Sequence, residues 1–152
     1  MNDRLIIGLG SNLSPRQKYL QEAQKKLKQV GKITEISSRL ETEPWGVETE
    51  NEFLNQVIVL ENCRYDSPQR LMELLLGIEK EIGRRREVNA PDRVIDIDIL
   101  YWGNRVTTAG VVIPHPRLHR RRFVLRSLVE IMPRFVHPVL KKTQQQLLDE
   151  ID

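Results

Sequence analysis

The sequence of 152 residues contains little that would staple a chain or embed it in lipid. Its one cysteine, Cys63, excludes an internal disulfide and a cysteine-based zinc site. Aromatic residues make up 5% of the chain, and no apolar run approaches the roughly 18 residues that span a bilayer. No repeat, low-complexity stretch or Pro/Gly/Ser-rich linker interrupts it. A glycine-rich phosphate loop ending in Gly-Lys-Ser/Thr is missing, and no dinucleotide-type glycine fingerprint follows a strand. No Ser-His-Asp or Cys-His set stands out as nucleophilic machinery, and His119 and His137 are assigned no chemistry. Met1-Asn2-Asp3-Arg4 leads directly into an apolar run without a secretory pattern, so a cytoplasmic protein with no membrane partner is expected.

What is present is a balanced composition, 39% hydrophobic and 30% charged. A chain of this length buries about 68–70% of its unfolded surface and forms one domain without a metal or disulfide staple. Lys and Arg number 24 against 21 Asp and Glu, a net charge of +3. The excess is local, in Arg84-Arg85-Arg86 and in Arg117-Leu118-His119-Arg120-Arg121-Arg122. Such clusters suit a nucleic acid, a small phosphorylated ligand or simply a solvated face.

Hydrophobic spacing predicts the elements. Leu5–Leu9 is a buried strand, and Ser14-Pro15 offers a cap and a first-turn proline to a helix carrying Leu20, Ala23, Leu27 and Val30. Residues 33–40 alternate as one strand, 43–52 form a polar loop, and 54–60 alternate again. Ser67-Pro68 opens a second helix with Leu71, Leu74, Leu75 and Ile78 on one face, closed by Gly83. Residues 84–92 are a basic loop, 94–102 a strand, and 111–113 part of a short hairpin. Helices at 122–132 and from Thr143 complete the chain. The order β-α-β-β-α-β is that of a ferredoxin-like α+β fold, a largely antiparallel sheet with helices packed on it, in a single domain over residues 1–152.

The strand Arg93-Val94-Ile95-Asp96-Ile97-Asp98-Ile99-Leu100-Tyr101-Trp102 carries the most chemistry. Alternation places Ile95, Ile97, Ile99 and Tyr101 on a core face, with Asp96 and Asp98 on the other, about 6.6 Å apart. Aspartate is a poor strand former, and two carboxylates this close repel unless a cation sits between them. Oxygen ligands, few in number, point to Mg²⁺ holding water and a substrate phosphate. The alternative is a solvated face on which both pair with nearby arginines. Arg84, Arg86 and Arg93 flank the strand, with His115 and Arg121 downstream, a surround suited to phosphoryl transfer. Phe53, Asn55 and Phe123 offer two rings and an amide to a flat heterocycle, although such phenylalanines also fit a core.

These segments together resemble the 6-hydroxymethyl-7,8-dihydropterin pyrophosphokinases of folate synthesis. The resemblance runs through Gly10-Ser11-Asn12, Glu41-Thr42-Glu43-Pro44-Trp45-Gly46, Phe53-Leu54-Asn55, Ile78-Glu79 and Gly83-Arg84-Arg85-Arg86. It continues in Arg93 to Leu100, in Ile113-Pro114-His115-Pro116-Arg117-Leu118, and in Arg121 and Phe123. It implies transfer of pyrophosphate from ATP, as co-substrate, to the pterin hydroxymethyl group with release of AMP. By resemblance Asp96 and Asp98 hold two Mg²⁺, and Arg84, Arg86, Arg93, His115 and Arg121 contact the triphosphate, with Glu79 near the nucleotide. Phe53 and Phe123 would sandwich the pterin, Asn55 would bond its edge, and Thr42, Pro44 and Trp45 would line the same pocket. The loops 43–52 and 84–92 correspond to family loops that close over substrates. Two departures stand out: many members carry Trp-Gly-Pro-Arg where this chain has Ala90-Pro91-Asp92-Arg93, and Pro116 replaces a common aromatic. An RNA-binding reading of the same fold is disfavoured, because the central strand offers Asp96 and Asp98 in place of stacking aromatics. No obligate protein partner is evident.

Overall fold

A computed structural model describes residues 3–43, 49, 51–84 and 92–151. The order is β1 (Leu5–Ser11), α1 (Arg16–Leu27), β2 (Lys32–Ile36), β3 (Leu40–Thr42), β4 (Phe53–Glu61), α2 (Pro68–Ile82), β5 (Asp96–Trp102), a 3₁₀ turn (Leu118–Arg120), α3 (Arg122–Ile131) and α4 (Gln144–Ile151). The sheet order is β2-β4-β1-β5, every pairing is antiparallel, and β3 shares the outer edge of β4 with β2. This is the ferredoxin-like order with its second strand broken in two. Among the described residues no helix is long and apolar enough to cross a membrane.

The break in the predicted 33–40 strand has a local cause. Ser37 is buried and donates its N–H to Val57 O at 2.9 Å, while its Oγ accepts from Val57 N at 2.8 Å. A side-chain oxygen thus takes the place of a ladder carbonyl, and the chain bends before pairing resumes at Leu40. The proposed cap at Ser14 is also replaced: Pro15 occupies the cap position of α1 with no side-chain bond. Ser67 does cap α2, accepting from Arg70 N, with Pro68 in the first turn. The expected 111–113 strand is a single bridge between Thr107 and Ile113.

Helices cover both faces of the sheet. On one face Leu5, Ile7, Leu9, Ile58, Ile97, Ile99 and Trp102 pack with Leu20 and Leu27 of α1 and Leu71, Leu75 and Ile78 of α2. On the other, Ile6, Val57, Val59, Leu100 and Tyr101 pack with Val124, Leu125 and Leu128 of α3 and Leu147 of α4. Double coverage explains why β4 is buried from Leu54 to Leu60 without a polar face.

Tyr101 corrects the expected alternation. The β1–β5 register runs Ile7↔Ile99 and then Ile6↔Tyr101, leaving Leu100 without a Cα partner. This bulge puts Tyr101 on the face of α3 and α4 and Trp102 with the isoleucines. The Tyr101 hydroxyl donates to Gln144 Oε1 at 3.1 Å, and its ring meets Phe135 and His137 edge-on at 4.8 and 5.5 Å.

His137 is therefore structural. Its Nδ1 accepts from Val139 N at 3.1 Å and Leu140 N at 3.0 Å, and burial holds its pKa down to about 4 from an ordinary 6.5. A depressed folded-state value means that the unfolded chain binds the proton more readily. The stabilisation is present in full above about pH 6.5 and is lost as pH falls towards about 4. Chemical denaturation across this window should show falling stability in the wild type and a flatter acid limb in His137→Asn, which keeps the acceptor. His137→Ala should lose about 1–3 kcal/mol at neutral pH by leaving two backbone donors unmet.

Candidate active site

The site sits where β1, β4 and β5 run together beneath the start of α3. On the α3 face, β1 presents Ile6 and then Gly8 and Gly10, so the core stops and a cavity begins. Gly10 pairs with Asn55 on one side and Asp96 on the other, and Gly8 with Val57 and Asp98. A Cβ on Gly10 would lie 3.2 Å from Asn55 Oδ1, and one on Gly8 would lie 3.4 Å from Leu100 Cδ1. The cavity is lined by Thr42, Phe53, Asn55, Arg93, Asp96, Asp98, Arg121 and Phe123, with Ser127 behind. Four separate segments thereby bring together most of the residues singled out in the sequence.

The carboxylate end is built on a chain of alternating charge. Gly83, at φ 125°, ends α2 in a conformation that favours glycine and turns Arg84 back beneath β5. Buried Arg84 Nη1 reaches Glu79 Oε1 at 3.0 Å and Asp96 Oδ1 at 2.9 Å, and Arg93 Nη1 reaches Asp96 Oδ2 at 3.1 Å. Glu79 is buried behind the cavity, and its Oε2 accepts from Ile97 N at 2.7 Å. The arginine-paired alternative thus describes Asp96.

Asp98 differs. Among the described residues Arg121 Nη1 approaches it, at 3.9 Å. Burial first, and then the Asp96 charge, push its carboxyl well above the usual range, with Arg121 opposing. His115 donates its backbone N–H to Leu100 O at 2.9 Å, so it is carried on the bulged part of β5. Its Nδ1 accepts from Arg117 N at 3.1 Å, which leaves Nε2 as the protonated nitrogen of a neutral ring. Burial and then Arg121 hold its pKa down to about 4, so the neutral form dominates near pH 7.

At the opposite end Asn55 donates Nδ2 to Thr42 Oγ1 at 2.6 Å and to Leu40 O at 3.4 Å. This fixes the amide and turns Oδ1 towards the space above Gly10. Half-buried Phe53 and Phe123 enter the same cavity from β4 and α3. Pro44, Trp45 and Arg86 lie outside the described residues. Glu79, Arg84 and His115 surround the cavity without lining it.

Sequence reasoning passed over the glycines, Asn12 and Asp92. The pattern Gly8-Leu9-Gly10 was the available signal: two glycines on one face of a central strand leave a void there. Buried Asn12 donates Nδ2 to Asp92 Oδ1 at 2.9 Å and accepts from Arg93 N at 2.6 Å.

Comparison with known proteins agrees with the resemblance in the sequence. The sequence pattern of the family 7,8-dihydro-6-hydroxymethylpterin-pyrophosphokinase matches residues 6–133. The chain is 35% identical over 147 residues to the 2-amino-4-hydroxy-6-hydroxymethyldihydropteridine pyrophosphokinase of Aquifex aeolicus, covering 96% of this chain and 91% of that one. It is 40% identical over 134 residues to the protein of the same name from Bacillus subtilis, covering 86% and 79%. The fold is also found in the crystal structure of Plasmodium falciparum HPPK-DHPS, with a TM-score of 0.79 at 16% identity, covering 99% of this chain and 45% of that longer one. The chain belongs to the 7,8-dihydro-6-hydroxymethylpterin-pyrophosphokinase family.

Proposed function

We propose that the chain, as one domain over residues 1–152, transfers pyrophosphate from ATP to the hydroxymethyl group of 6-hydroxymethyl-7,8-dihydropterin in folate synthesis. The observation that carries this reading is the row Asn55–Gly10–Asp96. It puts an amide acceptor and a carboxylate two strand spacings apart, roughly 9–10 Å, across a void. A bicyclic ring with a one-carbon arm fits that span, ring edge at Asn55 and hydroxyl at Asp96.

In the transfer the hydroxymethyl oxygen bonds to the β-phosphorus and the bond from that phosphorus to the α–β bridging oxygen breaks. AMP leaves with the bridging oxygen, and the hydroxyl gives up a proton. Phe53 and Phe123 stack on the two faces of the ring. Asn55 Oδ1 accepts from the pterin N–H groups because its Nδ2 is held by Thr42. The family resemblance assigns Pro44 and Trp45 to the pterin as well. Arg93, Arg121, Arg86 and neutral His115, through its Nε2–H, hold phosphate oxygens. Arg84 serves the same charge from behind Asp96, and Glu79 sets the position of Arg84 and of the first residues of β5.

The donor set also fits a hard divalent cation. At Asp98, Arg121 comes no nearer than 3.9 Å, and partial burial and the Asp96 charge both disfavour the ionised carboxylate, with Arg121 and Arg84 opposing, so a cation there would be favoured. Two carboxylates beside open space suit Mg²⁺, which keeps water and substrate oxygens as its other ligands. Asp96 and Asp98 would hold it, as two ions. When bound, Mg²⁺ neutralises phosphate charge and polarises the attacking hydroxyl.

Purified protein with MgATP should release AMP only when the pterin is added; AMP formation in its absence, or none in its presence, would sink the reading. Asp98→Ala should melt at or above the wild-type temperature, since a desolvated carboxylate is removed, and should lose at least about 100-fold in turnover. Wild-type turnover in that variant would exclude Asp98 as a ligand. Gly10→Val should fold, because valine suits a strand, yet weaken pterin binding more than about tenfold by filling the void. A titration showing unchanged pterin affinity would place the ring elsewhere.

A further inference from the structure

We propose that Asp92 is a positioning residue that locks the pterin wall to the backbone of Arg93 through Asn12 and Thr49. This rests on the function proposed above and concerns how its two substrate halves are held in register.

Three segments that are remote in sequence meet at one carboxylate oxygen. Asp92 Oδ1 accepts from Asn12 Nδ2 at 2.9 Å and from Thr49 Oγ1 at 2.5 Å. Thr49 Oγ1 in turn accepts from Asn51 N at 3.2 Å, and Asn12 Nδ2 also lies 3.5 Å from Asn51 O. Asn12 clamps the next residue from both sides. Its Oδ1 accepts from Arg93 N at 2.6 Å, and its own N–H donates to Arg93 O at 3.1 Å. Asn12 is itself buried at the end of β1, two residues beyond Gly10.

The consequence is mechanical. Asn51 lies two residues before Phe53, and Arg93 reaches Asp96 with its guanidinium. The link through Asp92 therefore joins the segment leading into the ring-stacking wall to the segment that carries a phosphate-facing arginine. Both are referred to the same fixed point on β1. Hydrogen bonding from Thr49 holds the Asp92 carboxyl below the usual carboxylate range, with Asn51 and Asn12 adding to it, so the acceptor is ionised at neutral pH. The residue stands immediately before Arg93, where many family members have proline, which offers no side-chain acceptor. This chain supplies the connection with a charge-assisted hydrogen bond instead.

The test compares Asp92→Ala, Asp92→Asn, Thr49→Val and the Asp92→Ala/Thr49→Val double variant. Asp92→Ala should lower kcat about tenfold, the loss expected for one charge-assisted bond, while MgATP affinity stays within about twofold. Asp92→Asn keeps an acceptor and should recover to within about threefold of wild type. Thr49→Val breaks the same link at a half-buried position outside the helices and strands, and the double variant should be no slower than either single one. Wild-type kcat in both Asp92→Ala and Thr49→Val, or losses that multiply in the double variant, would overturn the proposal. A second readout does not need turnover. Hydrogen exchange at the Asn51 amide should accelerate about tenfold in Asp92→Ala, and unchanged protection there would also overturn it. If the wild type releases no AMP, the proposed function fails, and amide exchange alone decides whether the link exists.

Discussion

Arg84 joins α2 to β5 by standing between two carboxylates. Glu79 and Arg84 are 3% and 7% exposed at their side chains and meet at 3.0 Å, so carboxylate and guanidinium answer each other where little water reaches. The series Glu79–Arg84–Asp96–Arg93 alternates sign and ends at the cavity. Glu79 adds a directional bond to Ile97 N, which fixes where β5 begins its ladder. The orientation of Asp96 follows, and with it that of Asp98 two residues on. Removing Arg84 would take a buried guanidinium from two carboxylates at once, a loss of about 3–5 kcal/mol for pairs of this kind. The carboxylate end of the cavity is thus held by contacts that also tie α2 to β5.

The other end is made by omission. Three sheet positions under α3 read Ile6, Gly8 and Gly10, and only the first fills its space. Val124, Leu125 and Leu128 find partners further along, whereas Phe123 and Ser127 overhang empty volume. A slot with apolar walls and one fixed amide therefore abuts a region of concentrated charge. The boundary between them is a single glycine wide.

Much of this was legible in the chain and some was not. The period-2 and period-3.6 patterns marked the main strands and helices because their apolar residues do face a core. The paired aspartates stood out because strands disfavour them, and the Ser67-Pro68 cap formed as its chemistry suggests. Four features escaped for identifiable reasons. Ser37 breaks a strand through a side-chain bond to a residue twenty positions away, which no local pattern encodes. Tyr101 faces the opposite side from its isoleucine neighbours because the register slips at Leu100, a property of the β1–β5 pairing rather than of either sequence. Gly8 and Gly10 were visible, but an empty space has no signature until the layer above it is known. The meeting of Asn12, Thr49 and Asp92 is tertiary, and the identities of those residues alone do not announce it.

The slip at Leu100 makes β5 a strand of changing parity. Four positions separate Asp98 from Trp102, an even number that would put both on one side of an unbroken ladder. The supernumerary residue sends them to opposite sides. Pairing the same residues without the slip would exchange the environments of Tyr101 and Trp102 while leaving the aspartates where they are, whereas deleting Leu100 would keep both aromatics on their present sides. For anyone transplanting this strand into a designed sheet, the unit to copy is therefore the acidic half together with the irregularity that follows it. A strand with the same letters and no slip would send each aromatic into the other core.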